Sequence, residues 1–298
     1  MTTLSPARLI CASKVAYKAI QNGIIPPYDD ISYTTVGFLE PPTSIIDGPR
    51  AINACIVGSI PEGVIVAFRG TIPLSDTASP FAQRIRDWCQ DFRAELCTAP
   101  GFPGMVHSGY MASLNTLWND TIKEVNRQLS LSEQKALYMT GHSKGGAMAT
   151  MAAWKWYVGN RVGQAKIGLR IPTVTTFASP RPGDTNFATA ISGLVSIERF
   201  EGQDDIVPFL PPHETLGAVL NTVTRKRFDD LHDKDYQSVG QLFFVDENGN
   251  IQSPLGKVAN IILKNKRSWQ FVRLFVTFDF DDIVLAHEVE SYRSRIMG

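Results

Sequence analysis

The chain lacks any excess of charge, with 29 lysines and arginines set against 29 aspartates and glutamates over 298 residues. Such a balance gives no overall attraction to a phosphate backbone or an anionic bilayer. Nucleic acid and polybasic membrane docking are therefore disfavoured at the level of the whole chain, and only local patches remain open. Cysteine is scarce and scattered. Cys11, Cys55, Cys89 and Cys97 form no CxxC pair and no His/Cys cluster at ligand spacing, so free thiols and no metal are expected. No apolar stretch reaches the roughly 18 residues needed to span a bilayer. The N-terminal run is interrupted by Arg8, Lys14 and Lys18 and has no small-residue cleavage site. It does not read as a signal peptide, and the expectation is a cytoplasmic location, with export by another route or a removed signal segment left open. Repeats, low-complexity tracts and long Ser/Gly/Pro linkers are also missing, which favours a single domain over residues 1–298.

What is present reads as strands alternating with helices. Leu9–Ile20 suggests a first helix, and Ile52–Ser59 with Val64–Phe68 suggests two strands flanking a Pro61-Glu-Gly turn. After Gly109 an amphipathic stretch carries Met111, Leu114, Leu117, Trp118, Ile122, Val125 and Leu129 at three- and four-residue intervals. The apolar run Ala136–Thr140 suits a central strand. Thr173–Phe177 and Ser196–Phe200 read as further strands separated by a helix near Asn186–Ile191, and Val272–Phe278 also reads as strand-like. This order predicts an α/β fold with a mostly parallel sheet covered by helices on both faces.

The most informative segment is Gly141-His-Ser143-Lys-Gly145, a G-x-S-x-G pattern between the apolar run at 136–140 and the Ala-rich stretch from Gly146 to Trp154. A sharp strand-to-helix turn there lifts a serine hydroxyl out of the sheet, and the glycines remove side chains that would clash. The N–H that follows the serine lies at a helix N-terminus, where developing negative charge is favoured. Ser143 is thus a candidate nucleophile.

A nucleophilic serine needs a base, and the base needs an acid to orient it. In a fold of this kind the order is Ser, then Asp or Glu, then His. Asp204-Asp205 follows the strand-like Ser196–Phe200, and a pair of adjacent carboxylates suggests one solvated and one held. Three histidines come later. His213 lies too near the acid, and His232 sits in the charged stretch Phe228–Asp235, so order and exclusion favour His287. His107 and His142 precede the acid and read as structural or elbow-packing residues.

With these residues in place the chain resembles the class 3 lipases, an α/β-hydrolase family of fungal triacylglycerol lipases and their bacterial and plant relatives. Val66-Ala-Phe-Arg-Gly-Thr71 is similar to the family's oxyanion strand. Val106–Tyr110 is similar to its V-H-x-G-[FY] element, and Gly141–Gly146 to its G-H-S-L-G-G elbow. Phe177–Gly183 resembles the G-S-P-R-V-G segment, Asp205–Pro212 resembles D-I-V-P-x-L-P-P, and His287 with Tyr292 fits a terminal H-x(4)-Y pattern. The resemblance implies Ser143 as nucleophile, Asp205 as acid and His287 as base. It also implies an oxyanion hole from the N–H groups of Lys144 and Thr71. The sequence departs from the family in carrying Lys144 where leucine is usual, and in lacking an evident secretory prepro-segment and disulfide set. G-H-S-K-G-G also resembles a second, less characterised hydrolase group of the same fold.

Between Thr71 and His107 lies a connection longer than the core requires. Within it Phe81, Ile85, Trp88 and Phe92 form one apolar helical stripe. By the resemblance this segment, approximately residues 74–103, is a lid over an acyl pocket; a surface helix packed permanently on the core is the alternative. The expected chemistry is hydrolysis of acylglycerol esters through an acyl-enzyme, with a lipid or ester substrate, a lipid–water interface and no cofactor. Esterase, phospholipase A1 or thioesterase activity on the same fold, or a catalytically silent binding protein, are the other readings. Lys144, directly behind the nucleophile, is expected to need an acidic or carbonyl partner, and Asp204 is the first candidate.

Overall fold

The computed structural model describes residues 4–20, 23–27, 30–48, 52–71, 95–133, 136–161, 170–202, 204–211, 235–253, 256–277 and 285–298. Its strands are β1 (Thr43–Ile46), β2 (Ala54–Ile60), β3 (Gly63–Phe68), β4 (Leu96–Thr98), β5 (Met105–His107), β6 (Ala136–His142), β7 (Thr173–Phe177), β8 (Ile197–Gly202), β9 (Gln241–Val245) and β10 (Ile251–Gln252). Its helices are α1 (Pro6–Val15), α2 (Ile31–Val36), α3 (Ser108–Leu131), α4 (Lys144–Arg161), α5 (Thr185–Ser192), α6 (Lys257–Thr277) and α7 (Val289–Met297), with short 3₁₀ turns at Ala16–Lys18 and Val207–Phe209.

Among the described residues one sheet runs β1-β2-β3-β6-β7-β8-β9-β10, and β4 and β5 form a separate antiparallel pair. The pairings from β3 to β6, β7, β8 and β9 are parallel, whereas β1/β2, β2/β3 and β9/β10 are antiparallel. Parallel strands must be covered on both faces, and their side chains show it. In β3, Val64, Val66 and Phe68 join a core shared with α3, α4 and α5, while Ile65 and Ala67 join a second core shared with α1, α2 and Tyr292 of α7. Alternate residues of one strand thus feed opposite layers.

Local chemistry starts the helices. Ser5 caps α1, with Pro6 in its first turn, and His107 caps α3 by accepting from the N–H groups of Gly109 and Tyr110. The α3 stripe from Met111 to Leu129 packs on the sheet, each large side chain stabilising by about 1.5–3 kcal/mol. One element departs from the sequence reading: Val272–Thr277, expected as a strand, are the last turns of α6. A short apolar run fits either element, and no Pro or Gly between residues 257 and 277 stops the helix before it reaches that run. Cys11, Cys55 and Cys97 are free thiols, and Cys89 lies outside the described residues. Among the described residues no helix is long and apolar enough to cross a membrane.

Candidate active site

β6 ends in Gly141 and His142, after which the chain turns at Ser143 with φ of +57° and enters α4. A non-glycine residue in this region costs about 1–2 kcal/mol, so the surroundings must hold it. Ser143 N–H donates to Phe177 O at 2.9 Å, and Gly146 N–H donates to Ser143 O at 2.8 Å. The turn closes so tightly that a Cβ on Gly141 would lie 2.3 Å from the Gly145 carbonyl carbon. Lys144, the first residue of α4, has no preceding turn of helix to receive its N–H.

The Ser143 hydroxyl lies 2.9 Å from His287 Nε2, and His287 Nδ1 lies 3.0 and 3.1 Å from the two oxygens of Asp205. All three side chains are buried. An ionised carboxylate can only accept, so Nδ1 carries the proton and Nε2 accepts from the hydroxyl. Asp205 follows β8 and takes two further hydrogen bonds, from Val207 N–H at 2.9 Å and from the Tyr292 hydroxyl at 2.7 Å. Tyr292 in turn accepts from Gly202 N–H at 2.6 Å. Burial opposes ionisation of Asp205, but the electrostatic pull and hydrogen bonds of the His287 ring N–H, with the bonds from Tyr292 and Val207, outweigh it and hold the carboxyl below its ordinary range. Burial and the adjacent Asp205 drive the Tyr292 phenol upward, so it stays a donor.

His142 sits behind this relay. Its Nε2 donates to the carbonyl of His287 at 2.7 Å, and its Nδ1 accepts from the Tyr17 hydroxyl at 2.9 Å. Burial, with repulsion from His287, lowers its pKa to about 3, so it remains neutral in the tautomer these two bonds require. His107 is the cap of α3 and stacks on Tyr110 with ring centroids 3.7 Å apart.

The opposite flank is cationic. Lys144 Nζ donates to Asn53 Oδ1 at 2.7 Å, and Asn53 is bound through its backbone N–H (2.9 Å) and side-chain amide (2.5 Å) to Asp47. The expected pairing of Lys144 with Asp204 is therefore wrong: Asp204 instead accepts from Gln270 Nε2 at 2.9 Å. Topology supplies the reason. Asn53 leads into β2 and Asp204 follows β8, on opposite sides of β6 in the sheet order, and the Lys144 side chain runs to the β2 side. Burial, reinforced by the buried Arg69 and only partly offset by Asp47, brings the Lys144 pKa down to about 8. Burial likewise lowers the Arg69 guanidinium.

Thr71, the other expected oxyanion residue, is exposed at the end of the β3 segment. The preceding Gly70 brings this strand against the elbow, since a Cβ there would lie 2.2 Å from Tyr17 Oη and 3.1 Å from Ser143 Cβ. The stripe residues Phe81, Ile85, Trp88 and Phe92 lie outside the described residues, as do His213 and His232. Of the expected lid segment, residues 95–103 are described. They include β4, paired with β5, and Phe102, whose ring meets those of Phe187 (5.6 Å) and Trp154 (6.4 Å). Among the described residues no cluster of His, Cys, Asp or Glu could hold a metal ion.

Sequence reasoning assigned no role to Tyr17, Asn53 or Asp47. Tyr292 was visible only as the end of an H-x(4)-Y pattern, with no hint that it grips the acid.

The doubly covered sheet, with a Ser-His-Asp relay at a strand-to-helix turn, defines an α/β-hydrolase. Residues 65–215, about half of the chain, match the family lipase (class 3), and the chain belongs to that family. It is 28% identical over 185 residues to Lipase A of Sodiomyces alcalophilus, covering 51% of this chain and 40% of that protein. It is 29% identical over 190 residues to phospholipase A1-IIgamma of Arabidopsis thaliana, covering 55% and 42%. The chain thus spans about two fifths of the length of either relative. In structure it is similar to the Rhizomucor miehei lipase in its propeptide complex, with a TM-score of 0.59 and 21% identity over 82% of this chain and 68% of that one, a likeness of fold.

Proposed function

We propose that the protein is a serine carboxylic-ester hydrolase, a lipase acting on acylglycerols in a single hydrolase unit. The observation that carries this reading is the buried, unbroken hydrogen-bonded line from Ser143 through His287 to Asp205. His287 takes the hydroxyl proton as Ser143 attacks the ester carbonyl. The carbonyl oxygen becomes an oxyanion facing the N–H groups of Lys144 and Thr71, and the protonated His287 returns its proton to the departing alcohol. Water, activated by the same imidazole, then attacks the acyl-enzyme and releases the fatty acid. Asp205 keeps the imidazole in the tautomer that accepts from serine and stabilises the imidazolium. The reading invokes no cofactor. The segment at approximately residues 74–103, with the stripe at Phe81, Ile85, Trp88 and Phe92, serves as a lid over the acyl site.

The relative that is a phospholipase A1 supports a second reading at the same site, hydrolysis of a phospholipid acyl ester. A fluorophosphonate probe should label the wild-type protein at Ser143 and leave Ser143→Ala unlabelled. An ester series from acetate to palmitate, run with a triacylglycerol emulsion and phosphatidylcholine vesicles, then separates esterase, lipase and phospholipase. Absence of labelling in the folded wild-type protein overturns the hydrolase reading.

A further inference from the structure

Helix α6 presents an apolar row to solvent. Trp269 is 75% exposed, Val258 71%, Ile262 61% and Ile261 59%. At about 100° per residue these four positions fall within one arc of about 100°. The opposite side is the packed one, where Leu263 and Arg267 are buried. Arg267 donates to Glu201 of β8 at 2.5 Å and fastens the helix to the strand that leads to Asp205. Gln270, the residue after Trp269, holds Asp204. The exposed row is therefore carried on a helix anchored to the acid side of the relay, and Leu285, two residues before His287, is itself 59% exposed.

The charges of α6 are as one-sided as its exposure. The helix contains Lys257, Lys264, Lys266, Arg267 and Arg273 and no acidic residue. In the helical register the exposed Lys266 borders the apolar arc. A balanced net charge over the chain hides this local concentration. An apolar row with a tryptophan, on a segment rich in cations and free of acids and opposed by a packed face, has the design of a helix lying in a membrane interface. A second copy of the chain would bring two like-charged segments together, whereas an anionic lipid surface complements both the apolar row and the cationic segment that carries it.

We infer that the exposed face of α6 docks the protein onto anionic lipid surfaces, with Val258, Ile261, Ile262 and Trp269 entering the interface and Lys266 beside them meeting the headgroups. Docking through this face holds the relay at a fixed attitude to the lipid, because Arg267 and Gln270 tie the helix to β8 and to the loop that carries Asp205.

The test uses the full chain carrying Ser143→Ala, so that no lipid is consumed, and phosphatidylcholine vesicles with and without phosphatidylserine. Co-sedimentation is expected with the phosphatidylserine vesicles and should weaken as salt is raised. Trp269 emission should shift to the blue, and Trp269→Phe should abolish that shift while largely keeping the binding. Ile262→Ser with Trp269→Ser should lower the partition coefficient about tenfold or more. Lys266→Glu should lower it about fivefold for each unit of charge changed. Circular dichroism checks that the variants keep the fold, which substitutions at exposed positions should leave intact. The inference is overturned if the protein ignores anionic vesicles, or if it binds them equally after both apolar substitutions, which would assign binding to another surface. It is also overturned if the substitutions abolish a concentration-dependent dimer instead, which would make a second copy the occupant. Vesicle binding is read without turnover, so its failure and that of the hydrolase reading are separable.

Discussion

Two clusters of ionisable side chains flank Ser143, and both are largely shielded from water, yet burial acts on them with opposite results. On the His287 side, Asp205 is held ionised although it is fully buried. On the Lys144 side, the ammonium and the Arg69 guanidinium are both pushed toward neutrality. The difference lies in what touches the charge. Asp205 contacts the ring N–H of His287 directly and collects donors from Tyr292 and Val207, while Lys144 meets a neutral amide and reaches the charge of Asp47 only through Asn53. Burial alone does not decide the state of a group; the number of groups that stabilise its charged form does.

The largest effect falls on the nucleophile between the two clusters. Ser143→Ala should cost on the order of 10⁵ in kcat with the fold intact, leaving only the contribution of binding and the oxyanion donors. Turnover within tenfold of wild type would remove Ser143 from the chemistry. Next comes the acid: Asp205→Asn should cost about 10³–10⁴ in kcat, because the amide can present N–H where the imidazole needs an acceptor. Asp204→Asn, whose partner Gln270 lies outside the relay, should cost less than about tenfold. Equal losses would erase the distinction between the two carboxyls.

Tyr292→Phe sharpens the comparison by removing one donor from the anionic side and leaving Gly202 N–H without its acceptor. A stability loss of about 1–3 kcal/mol, read from denaturant unfolding, is expected, together with an acid limb of the kcat/KM profile moved to higher pH. An unmoved acid limb would mean that the phenol supports packing alone. The smallest effect belongs to the cationic side. Lys144→Met keeps the backbone N–H and should retain most turnover. Folded Lys144 titrates near about 8, against an ordinary value of 10.5. Between those values the unfolded chain binds a proton that the folded chain does not, so wild-type stability should rise with pH relative to Lys144→Met across that window. Allowing for its partial exposure, the gain is about 1 kcal/mol. A pH-independent difference between the two proteins would show that Lys144 keeps its charge.

Parts of this arrangement were legible in the sequence because they are local. Strands β3 and β6 announce themselves as apolar runs and β7 as a β-branched one, α3 by its three- and four-residue spacing, and the elbow by small residues at fixed positions around Ser143. Asp205 and His287 were reachable through chain order, and the structure brings both within hydrogen-bonding distance of the line that starts at Ser143. Val272–Thr277 misled because six residues, four of them apolar, are too few to declare a period. The partner of Lys144 was misassigned because adjacency of Asp204 to Asp205 in sequence says nothing about which side of β6 a lysine stem will take. Tyr17 left no signal at all: its value is a contact with His142 across 125 positions.

Those separations govern when the site can exist. Ser143 and His287 are 144 residues apart, and Tyr292 reaches back 87 residues to Asp205. Contacts of such span close late in folding, after the loops they enclose have been ordered. A chain with its central strands already paired still has a serine with no base and an acid with no phenol. Refolding should therefore recover helical signal before it recovers fluorophosphonate labelling, with reactivity arriving only once the segment from His287 to Tyr292 has docked against β8 and the elbow.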